Sequence, residues 1–324
     1  MKVRAFVISL LFALALTAGA PPAAASYPTR VITLVVPFPA GGATDVVART
    51  IAQGLSERLG QQVIVENRPG ANGLIGSTTV AQAPGDGYTL LMGGVNTQGM
   101  NDVLYKKRQY DSLRDFTPIA LTSIIPVAFV VHPTLPVNSL KELVELARAQ
   151  PGKLSYGSSG TGGPHNLAME LFKSIAAIDI QHIPYKGGAP QLNDLVAGHI
   201  KIGAIGLPPA LQHIRQGRLR ALVLTDGKRT AFLPDLPTVA EAGYPGFEVN
   251  YWLGLFGPAG MPKEVVTKLN QEVLDLLSRP DVREAMAKQG VEVVTSTPEE
   301  LGSLVATEIG RWGKVVKDAG ISLD

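Results

Sequence analysis

The residues best suited to chemistry lie in two glycine-rich turns, each of which follows an apolar run. One turn covers residues 37–45 and the other covers residues 156–165. Glycines let a ligand approach the backbone closely, and the helix predicted after each turn begins with N–H groups that have no intrahelical acceptor. The helix dipole adds about half a unit of positive charge there. Such turns are suited to binding an anion without a buried lysine or arginine.

The side chains in these turns are polar and mostly uncharged. The second turn contributes three hydroxyl groups, those of Ser158, Ser159 and Thr161. In the first turn, Asp45 is either stabilised by the helix dipole or in contact with a ligand, and the sequence leaves both open. His165 lies just inside the helix predicted after the second turn, where it either caps that helix or contacts a ligand. A weaker third turn covers residues 184–190.

The second turn does not fit the known catalytic and nucleotide-binding patterns. A nucleophile elbow requires Gly-x-Ser-x-Gly, and Thr161 stands where its last glycine belongs. A P-loop requires a lysine followed by serine or threonine, and the dinucleotide pattern requires a glycine where His165 stands. A periplasmic hydrolase that uses Ser159 and His165 stays as an alternative, although the sequence shows no acid to orient the histidine.

The spacing of the histidines does not support metal binding. The five histidines are His132, His165, His182, His199 and His213. No two of them have the spacing of neighbouring ligands on one helix, and the chain has no cysteine to complete a zinc set. The sequence therefore predicts neither a metal site nor a cofactor, and it favours binding over catalysis.

The N-terminus has the pattern of an export signal. Residues 1–4 carry two positive charges, residues 5–17 form an apolar run, and residues 23–25 supply the small residues that a signal peptidase reads. We predict a signal peptide over residues 1–25 with cleavage after Ala25, and a periplasmic protein. No cysteine follows the apolar run, so a lipid anchor and a disulfide framework are both excluded.

Charge and composition describe an ordinary globular protein. Hydrophobic residues make up 45% of the 324 residues and charged residues 17%. The chain has 29 basic and 27 acidic residues, and loss of Lys2 and Arg4 with the signal peptide leaves the two kinds equal. A neutral protein gives no electrostatic reason to expect nucleic acid or an anionic membrane as a partner.

Strands and helices alternate along the chain, as expected of α/β folds. Predicted strands cover residues 31–36, 63–65, 88–92, 124–131, 154–156, 180–185, 202–205, 219–224, 249–257 and 291–294. Predicted helices cover residues 43–59, 74–83, 166–176, 189–197, 209–216 and 263–277, with two more after the capping boxes at Ser139 and Thr297. Residues 93–116, which include the charged cluster 106–108, are predicted to form a solvated loop or a short surface helix in preference to a binding patch.

This alternation predicts two α/β domains with a ligand cleft at the carboxyl ends of their strands. Domain 1 is predicted to contain residues 26–123 together with 250–324, and domain 2 to contain residues 124–249. The chain would cross between them twice, near Ser123 and near Val249. The helices after residue 257 are expected to cover the sheet of domain 1.

Several segments resemble the Bug-type solute-binding proteins of tripartite tricarboxylate transporters. These segments are VPFPAGGATD (36–45), ENRPGANG (66–73), YGSSGTGGPH (156–165), HIPYKG (182–187), PTVAEAG (237–243) and LFGPAG (255–260). The resemblance covers essentially the whole chain after the signal peptide, in order. It implies a periplasmic-binding-protein fold of the Venus flytrap kind, type II-like, with two crossover strands and a central cleft. It also implies a role in transport, with a small carboxylate as ligand and membrane permease subunits as partners.

The same resemblance implies which residues line the cleft. They are Phe38, Gly41, Gly42, Asp45, Asn96, Thr97, Ser158, Ser159, Thr161, Gly162, His165, Lys186 and Gly187. Tyr251 is a further aromatic candidate. A sensory role beside a membrane sensor kinase remains an alternative, because transport and sensing need the same ligand-dependent closure. The sequence does not distinguish among a dicarboxylate, a tricarboxylate, an aromatic acid and an amino acid as the ligand, and a monomer is the expected state.

Overall fold

Two β-sheets, each flanked by helices, organise the chain in a computed structural model that describes residues 27–318. The strands are β1 (Ile32–Val36), β2 (Val63–Asn67), β3 (Thr89–Gly94), β4 (Phe116–Ile125), β5 (Val127–Val131), β6 (Ser155–Ser158), β7 (Gln181–Pro184), β8 (Ile202–Gly206), β9 (Arg220–Leu224), β10 (Tyr251–Pro258) and β11 (Glu292–Val293). The predicted signal peptide, residues 1–25, lies outside the described residues.

Helices connect most of the strands. They are α1 (Ala43–Leu59), α2 (Leu74–Ala81), α3 (Asn101–Leu104), α4 (Leu140–Ala149), α5 (Pro164–Ala176), α6 (Gly188–Ala197), α7 (Leu207–Arg215), α8 (Lys263–Ser278), α9 (Pro280–Lys288) and α10 (Pro298–Asp318). Most predicted elements are found within a few residues of these bounds, whereas α9 has no counterpart in the prediction. Within residues 27–318, none of the helices is both long and apolar enough to cross a membrane.

The two sheets define two lobes, and both sheets are mixed. In the first lobe the strand order is β11-β4-β10-β3-β1-β2, with β1 parallel to β2 and β3 and with β10 antiparallel to β3 and β4. In the second lobe the order is β7-β6-β8-β5-β9, with β6 parallel to β7 and β8. The predicted α/β fold of the Venus flytrap kind is confirmed.

The C-terminal helices pack on the first sheet, as predicted. Leu269 and Val273 of α8 are fully buried, and the side-chain amide of Asn270 donates to the carbonyl of Ile119 on β4 at 2.8 Å. Leu301 and Trp312 bury the inner face of α10. Because α8 and α10 cover strands that come from an earlier part of the chain, they fix the first lobe as one core.

The predicted strand 124–131 is two strands that belong to different sheets. Ile125 ends β4 opposite Tyr251, whereas Val127 begins β5 opposite Gly206. Pro126 separates them, because proline has no N–H to donate to a strand ladder. This first crossing between the lobes therefore lies beside the predicted position at Ser123.

A second crossing runs close to the first. The backbone N–H of Val249 donates to the carbonyl of Thr225 at 2.8 Å, and the Thr225 hydroxyl donates to the carbonyl of Val249 at 2.9 Å. The buried carboxyl of Asp226 accepts from the N–H of Val127 at 3.2 Å, which links the two crossings. Burial raises the pKa of Asp226 to about 7.

Residues 93–116 differ from the prediction of a solvated loop or surface helix. Residues Asn96–Met100 form a single π-helical turn that leads into α3, and residues 96–102 are buried. Most of their polar groups are satisfied internally: the Tyr110 hydroxyl donates to the carbonyl of Thr97, and Asn101 accepts from the side chain of Asn72 at 3.0 Å. The side-chain oxygen of Asn96 and the side-chain nitrogen of Gln98 are exceptions and have no partner among the described residues. The charged cluster 106–108 is exposed, as predicted.

Candidate functional site

Three turns meet where the two lobes face each other. They connect β1 to α1, β6 to α5 and β7 to α6. The lobes are in close contact at this point, because a Cβ atom on Gly41 would lie 3.6 Å from the Cβ of Ala189 and one on Gly187 would lie 2.8 Å from Pro39. The structure therefore brings the two glycine turns singled out in the sequence, and the weaker third turn, to one site.

Two adjoining cavities lie between the lobes. The inner cavity has a volume of about 30 Å³ and the outer cavity a volume of about 820 Å³. Both are lined by Phe38, Pro39, Asn72, Ser159 and Gly187, so they form one cleft. A small group fits the inner cavity, while a longer molecule attached to it can extend into the outer cavity.

Helix N-termini converge on the inner cavity. Helices α1, α5 and α6 begin after Gly42, Gly163 and Gly187, and none of these residues makes a side-chain capping hydrogen bond. Helix α7 begins after Gly206, where an added Cβ would lie 3.3 Å from Ala43 and 3.6 Å from Nε2 of His165. Helix α7 contributes no free donor, because the N–H of Leu207 donates to the carbonyl of Pro126 at 2.9 Å and residues 208 and 209 are prolines. Three sets of first-turn N–H groups, those of α1, α5 and α6, therefore lie at the same small space, which favours negative charge there.

Asp45 shapes the first turn and lies outside both linings. Its two carboxylate oxygens accept four hydrogen bonds, two from Arg49 and one each from the Gly41 N–H and the Asn67 side chain, at 2.9–3.0 Å. Burial alone would raise the pKa of Asp45, but these hydrogen bonds outweigh it and hold the pKa below its usual value. The carboxylate thus keeps the turn in shape and is directed away from the cleft.

Ser159 and His165 form a buried polar pair at the inner cavity. The Ser159 hydroxyl lies 2.6 Å from Nδ1 of His165, and the imidazole is 5% exposed. Burial lowers the pKa of His165 to about 4, so the ring is neutral at physiological pH. Its Nε2 has no hydrogen-bond partner among the described residues, and its ring meets the Tyr251 ring edge-on at 5.6 Å.

Polar groups of the first lobe complete the inner cavity. The hydroxyls of Thr44 and Tyr251 lie 2.6 Å apart, and burial raises the pKa of Tyr251 to about 12. The side-chain amide of Asn96 donates to the carbonyl and the side-chain oxygen of Asn72, both at 3.1 Å. The inner lining therefore consists of neutral hydrogen-bonding groups and carries no ionised side chain.

The predicted site residues divide into those that line the cleft and those that support it. The lining residues are Phe38, Gly42, Asn96, Ser159, Thr161, His165, Lys186 and Gly187. Gly41, Asp45, Thr97, Ser158 and Gly162 lie behind the lining. Ser158 bonds to His182 at 2.7 Å, and the Gly162 N–H donates to Asn166 at 2.8 Å, so both residues hold the second turn.

Two polar side chains of the inner lining, those of Asn72 and Thr44, are not among the predicted ligand-binding residues. Asn72 follows β2, whose carboxyl end meets the same edge of the sheet as that of β1, and it adopts a left-handed backbone with φ of 54°. Thr44 lies in the first turn of α1. The sequence could have indicated both residues by their position, since each follows one of the parallel strands β1 and β2 of the same sheet.

The geometry at Ser159 and His165 differs from a hydrolase triad. The serine bonds to Nδ1, and among residues 27–318 no carboxylate lies on Nε2 to orient the ring. A triad requires an acid on the nitrogen opposite the one that activates the serine. The hydrogen bond to Ser159 instead fixes the orientation of the His165 ring, so that its Nε2 can serve as a hydrogen-bond donor.

Comparisons with known protein sequences agree with this architecture. The sequence model of a family described as "Tripartite tricarboxylate transporter family receptor" matches residues 47–321. The chain is 42% identical over 294 residues to a UPF0065 protein from the tcbD-tcbE intergenic region of Pseudomonas sp. strain P51, covering 90% of this chain and 87% of the relative. It is 37% identical to the protein BugT of Bordetella pertussis, covering 95% of each chain.

Solved structures show the same fold. A structure of R. palustris Rpa4515 with adipate matches with a TM-score of 0.88 and 40% identity, over 91% of this chain and 99% of that chain. MatC from Rhodopseudomonas palustris with bound malate matches with a TM-score of 0.85 and 36% identity, over 90% and 100%. The periplasmic binding protein BugD matches with a TM-score of 0.87 and 37% identity, over 91% and 99%.

Proposed function

Because this chain belongs to the tripartite tricarboxylate transporter receptor family, we propose that it captures a small carboxylate between its lobes and delivers it to membrane permease subunits. The members of this family are periplasmic solute-binding receptors, and the two liganded relatives hold carboxylates. The protein acts in this proposal by binding and release, without turning its ligand over.

The observation that carries the proposal is the convergence of uncapped helix N-termini from both lobes on a neutral cavity. A carboxylate placed there accepts charge-assisted hydrogen bonds from backbone N–H groups and from His165. The number of donors offsets the cost of removing the carboxylate from water. A cationic or apolar ligand would gain nothing from these donors.

The position of the site between the lobes couples binding to closure. Gly42 and Thr44 come from the first lobe, whereas Ser159, Gly163 and His165 come from the second. A carboxylate that bonds to both sets makes contacts in the closed arrangement that separated lobes cannot provide. Ligand binding therefore shifts the population toward the closed form, which is the form that a permease can recognise.

The outer cavity offers a place for the rest of the ligand. Among the described residues that line it, Lys186 is the one charged side chain, and this lysine is exposed at the mouth. A second carboxylate on the ligand would be attracted to it, with some loss of strength to the solvent. Adipate and malate differ in length and in the hydroxyl group that malate carries, so family membership leaves the ligand open.

A thermal-shift screen of residues 26–324 tests the proposal. The panel contains mono-, di- and tricarboxylates, aromatic acids, amino acids and neutral sugars, and the protein is first unfolded and refolded to remove any ligand carried through purification. A ligand at about 100 times its dissociation constant adds roughly 2.7 kcal/mol of stability, which raises Tm by a few degrees. We expect a shift with carboxylates. A shift with sugars alone, or with no compound in the panel, would overturn the proposal.

We propose a periplasmic location with cleavage after Ala25, supported by the family and by the leader pattern of residues 1–25. Mass spectrometry of the protein secreted to the periplasm checks this directly. The expected chain begins at Ser26. Recovery of the uncleaved chain from the membrane fraction would contradict it.

A further inference from the structure

We propose that the inner cavity selects a carboxylic acid with a hydroxyl group on the carbon next to the carboxylate. Besides the backbone N–H groups, two side chains that line this space of about 30 Å³ each have an atom without a hydrogen-bond partner among the described residues, one of them a donor and the other an acceptor. A carboxylate alone can use the donor and leaves the acceptor unpaired. The inference rests on the proposed function, because it names the class of carboxylate that the same site would take.

The donor is Nε2 of His165. The hydroxyl of Ser159 is bonded to Nδ1 at 2.6 Å, and when it donates its hydrogen there, the ring proton must reside on Nε2. Nε2 is buried, lines the inner cavity with its ring and has no partner among the described residues. A carboxylate oxygen is the natural acceptor for this N–H, and it in turn stabilises this tautomer.

The acceptor is the side-chain oxygen of Asn96, a residue that is 2% exposed and lines the same cavity. Its amide nitrogen donates to the carbonyl and the side-chain oxygen of Asn72, both at 3.1 Å, which fixes the orientation of the amide group. The oxygen is therefore left without a partner among residues 27–318. A buried acceptor without a hydrogen bond is costly, so a ligand that supplies a donor is favoured over one that does not.

The donor on the ligand should be a hydroxyl group and not an ammonium group. No carboxylate side chain lines the inner cavity, and the nearby Asp45 already accepts four hydrogen bonds from its own turn. A buried ammonium group would face Asn96 with no opposite charge to balance it. Uncharged hydroxyl groups need no such partner.

Isothermal titration calorimetry with matched pairs of acids tests the inference. The pairs are lactate and propionate, malate and succinate, and 2-hydroxyglutarate and glutarate, and aspartate is compared with malate to test the ammonium group. We expect the hydroxy acid of any pair that binds to bind about ten-fold or more tightly than its partner, and aspartate to bind no more tightly than succinate. Three lengths are used so that the result does not depend on the length that the outer cavity prefers.

Three outcomes overturn the inference while leaving the proposed function intact. Equal affinities within the pairs would mean that a water molecule satisfies Asn96 and His165, and a panel in which only acids without a 2-hydroxyl group bind would mean the same. Tighter binding of aspartate than of malate would replace the hydroxyl group by an ammonium group. Binding of no carboxylate at all would instead overturn the proposed function.

Variants of two asparagines locate the preference. Asn96→Ala removes the acceptor, so the affinity ratio between hydroxy acid and plain acid should fall to about one. Asn101→Ala is the matched control, because Asn101 donates to the carbonyl of Asn72 at 3.1 Å in the same cluster but does not line the cavity. It should keep the ratio of the unmodified protein. A ratio that survives Asn96→Ala, or one that is lost equally in both variants, would remove Asn96 as the acceptor.

Discussion

Three helices that begin at the cleft differ from two helices, α4 and α10, that begin on the outer surface. At the cleft, α1, α5 and α6 start after glycines, and no side chain caps them. On the outside, Ser139 begins α4 and Thr297 begins α10, and each hydroxyl accepts from the N–H three residues on at 3.2 Å. Glu300 also returns a hydrogen bond to the N–H of Thr297 at 2.8 Å, which completes a capping box.

The difference shows where the fold gives up stability for binding. A serine, threonine or asparagine at a helix start satisfies the N–H groups that the helix itself cannot satisfy. The outer helices α4 and α10 use this device, whereas α8 and α9 begin after Pro262 and Arg279 without a side-chain cap. The cleft helices α1, α5 and α6 also lack a side-chain cap, and they differ from α8 and α9 because their free N–H groups lie at a cavity that can hold another acceptor. A ligand carboxylate can then act as the common cap of several helices, and it supplies stability only when it is bound.

The largest effect should follow from capping a cleft helix with a charged residue. Gly42 has an ordinary extended backbone, with φ −80° and ψ 169°, and the nearest atom to an added Cβ is 3.6 Å away. Gly42→Asp should cap α1 and place a negative charge where the ligand carboxylate binds, lowering its affinity by about 100-fold or more. Calorimetry and Tm measure the two effects separately.

Gly42→Asn is the matched variant, because it provides a similar cap without the charge. Its loss of affinity should be smaller than that of Gly42→Asp, and its Tm should not fall. Unchanged affinity in the aspartate variant would show that the start of α1 does not take part in binding.

A smaller effect is expected from Ser159→Ala. This change removes the hydroxyl that holds Nδ1 of His165 at 2.6 Å and lines the inner cavity, so ligand binding should weaken by about 1 to 3 kcal/mol. Ser303→Ala provides the control, since the exposed hydroxyl of Ser303 bonds within α10 to the carbonyl of Glu299. If both variants bind the ligand as tightly as the unmodified protein, Ser159 does not belong to the site.

The opposite result is expected at an outer cap. Ser139→Ala removes the hydrogen bond to the Glu142 N–H and should lower the free energy of unfolding by about 1 kcal/mol, while affinity for the ligand stays the same. Urea unfolding and calorimetry measure the two quantities. A change in affinity as large as that of Ser159→Ala would remove the distinction between the two kinds of helix start.

The smallest effect concerns pH. Burial lowers the pKa of His165 from the usual 6.5 to about 4, so the ring stays neutral from pH 8 to pH 6. Affinity for a carboxylate that remains ionised should therefore be flat over this range in calorimetry. Tighter binding as the pH falls toward 6 would show that the ring takes up a proton when the ligand binds.

The lowered pKa of His165 also determines the direction in which folding stability changes with pH. In the unfolded chain this histidine binds a proton below about pH 6.5, whereas in the folded protein it stays neutral down to about pH 4. The unfolded state therefore binds more protons in this window. The contribution of His165 is fully present above pH 6.5 and decreases as the pH falls toward 4.

The alternation of strands and helices, and the meeting of the glycine turns, could be predicted from the sequence because both depend on local patterns. The strand through Pro126 was misjudged, since apolar residues on both sides of the proline belong to different sheets. Residues 96–102 look solvated in sequence because they are polar, but distant groups such as the carbonyl and side chain of Asn72 accept hydrogen bonds from the amide nitrogens of Asn96 and Asn101 and allow the segment to be buried.

The role of Asp45 shows most clearly what the sequence alone cannot predict. Its position at a helix start fits either a dipole-stabilised carboxylate or a ligand contact. The choice depends on how many of its acceptor sites are filled, and Asn67, which fills one of them, lies 22 residues away on β2. Such saturation is a property of the folded structure and has no local sequence pattern.

A crystal structure with a bound carboxylate would show directly which groups hold the ligand. We predict that one carboxylate of the ligand lies in the inner cavity, within hydrogen-bond distance of the first-turn N–H groups of α1 and of Nε2 of His165. A ligand held in the outer cavity with its carboxylate on Lys186, and with no contact to a helix start, would contradict the account.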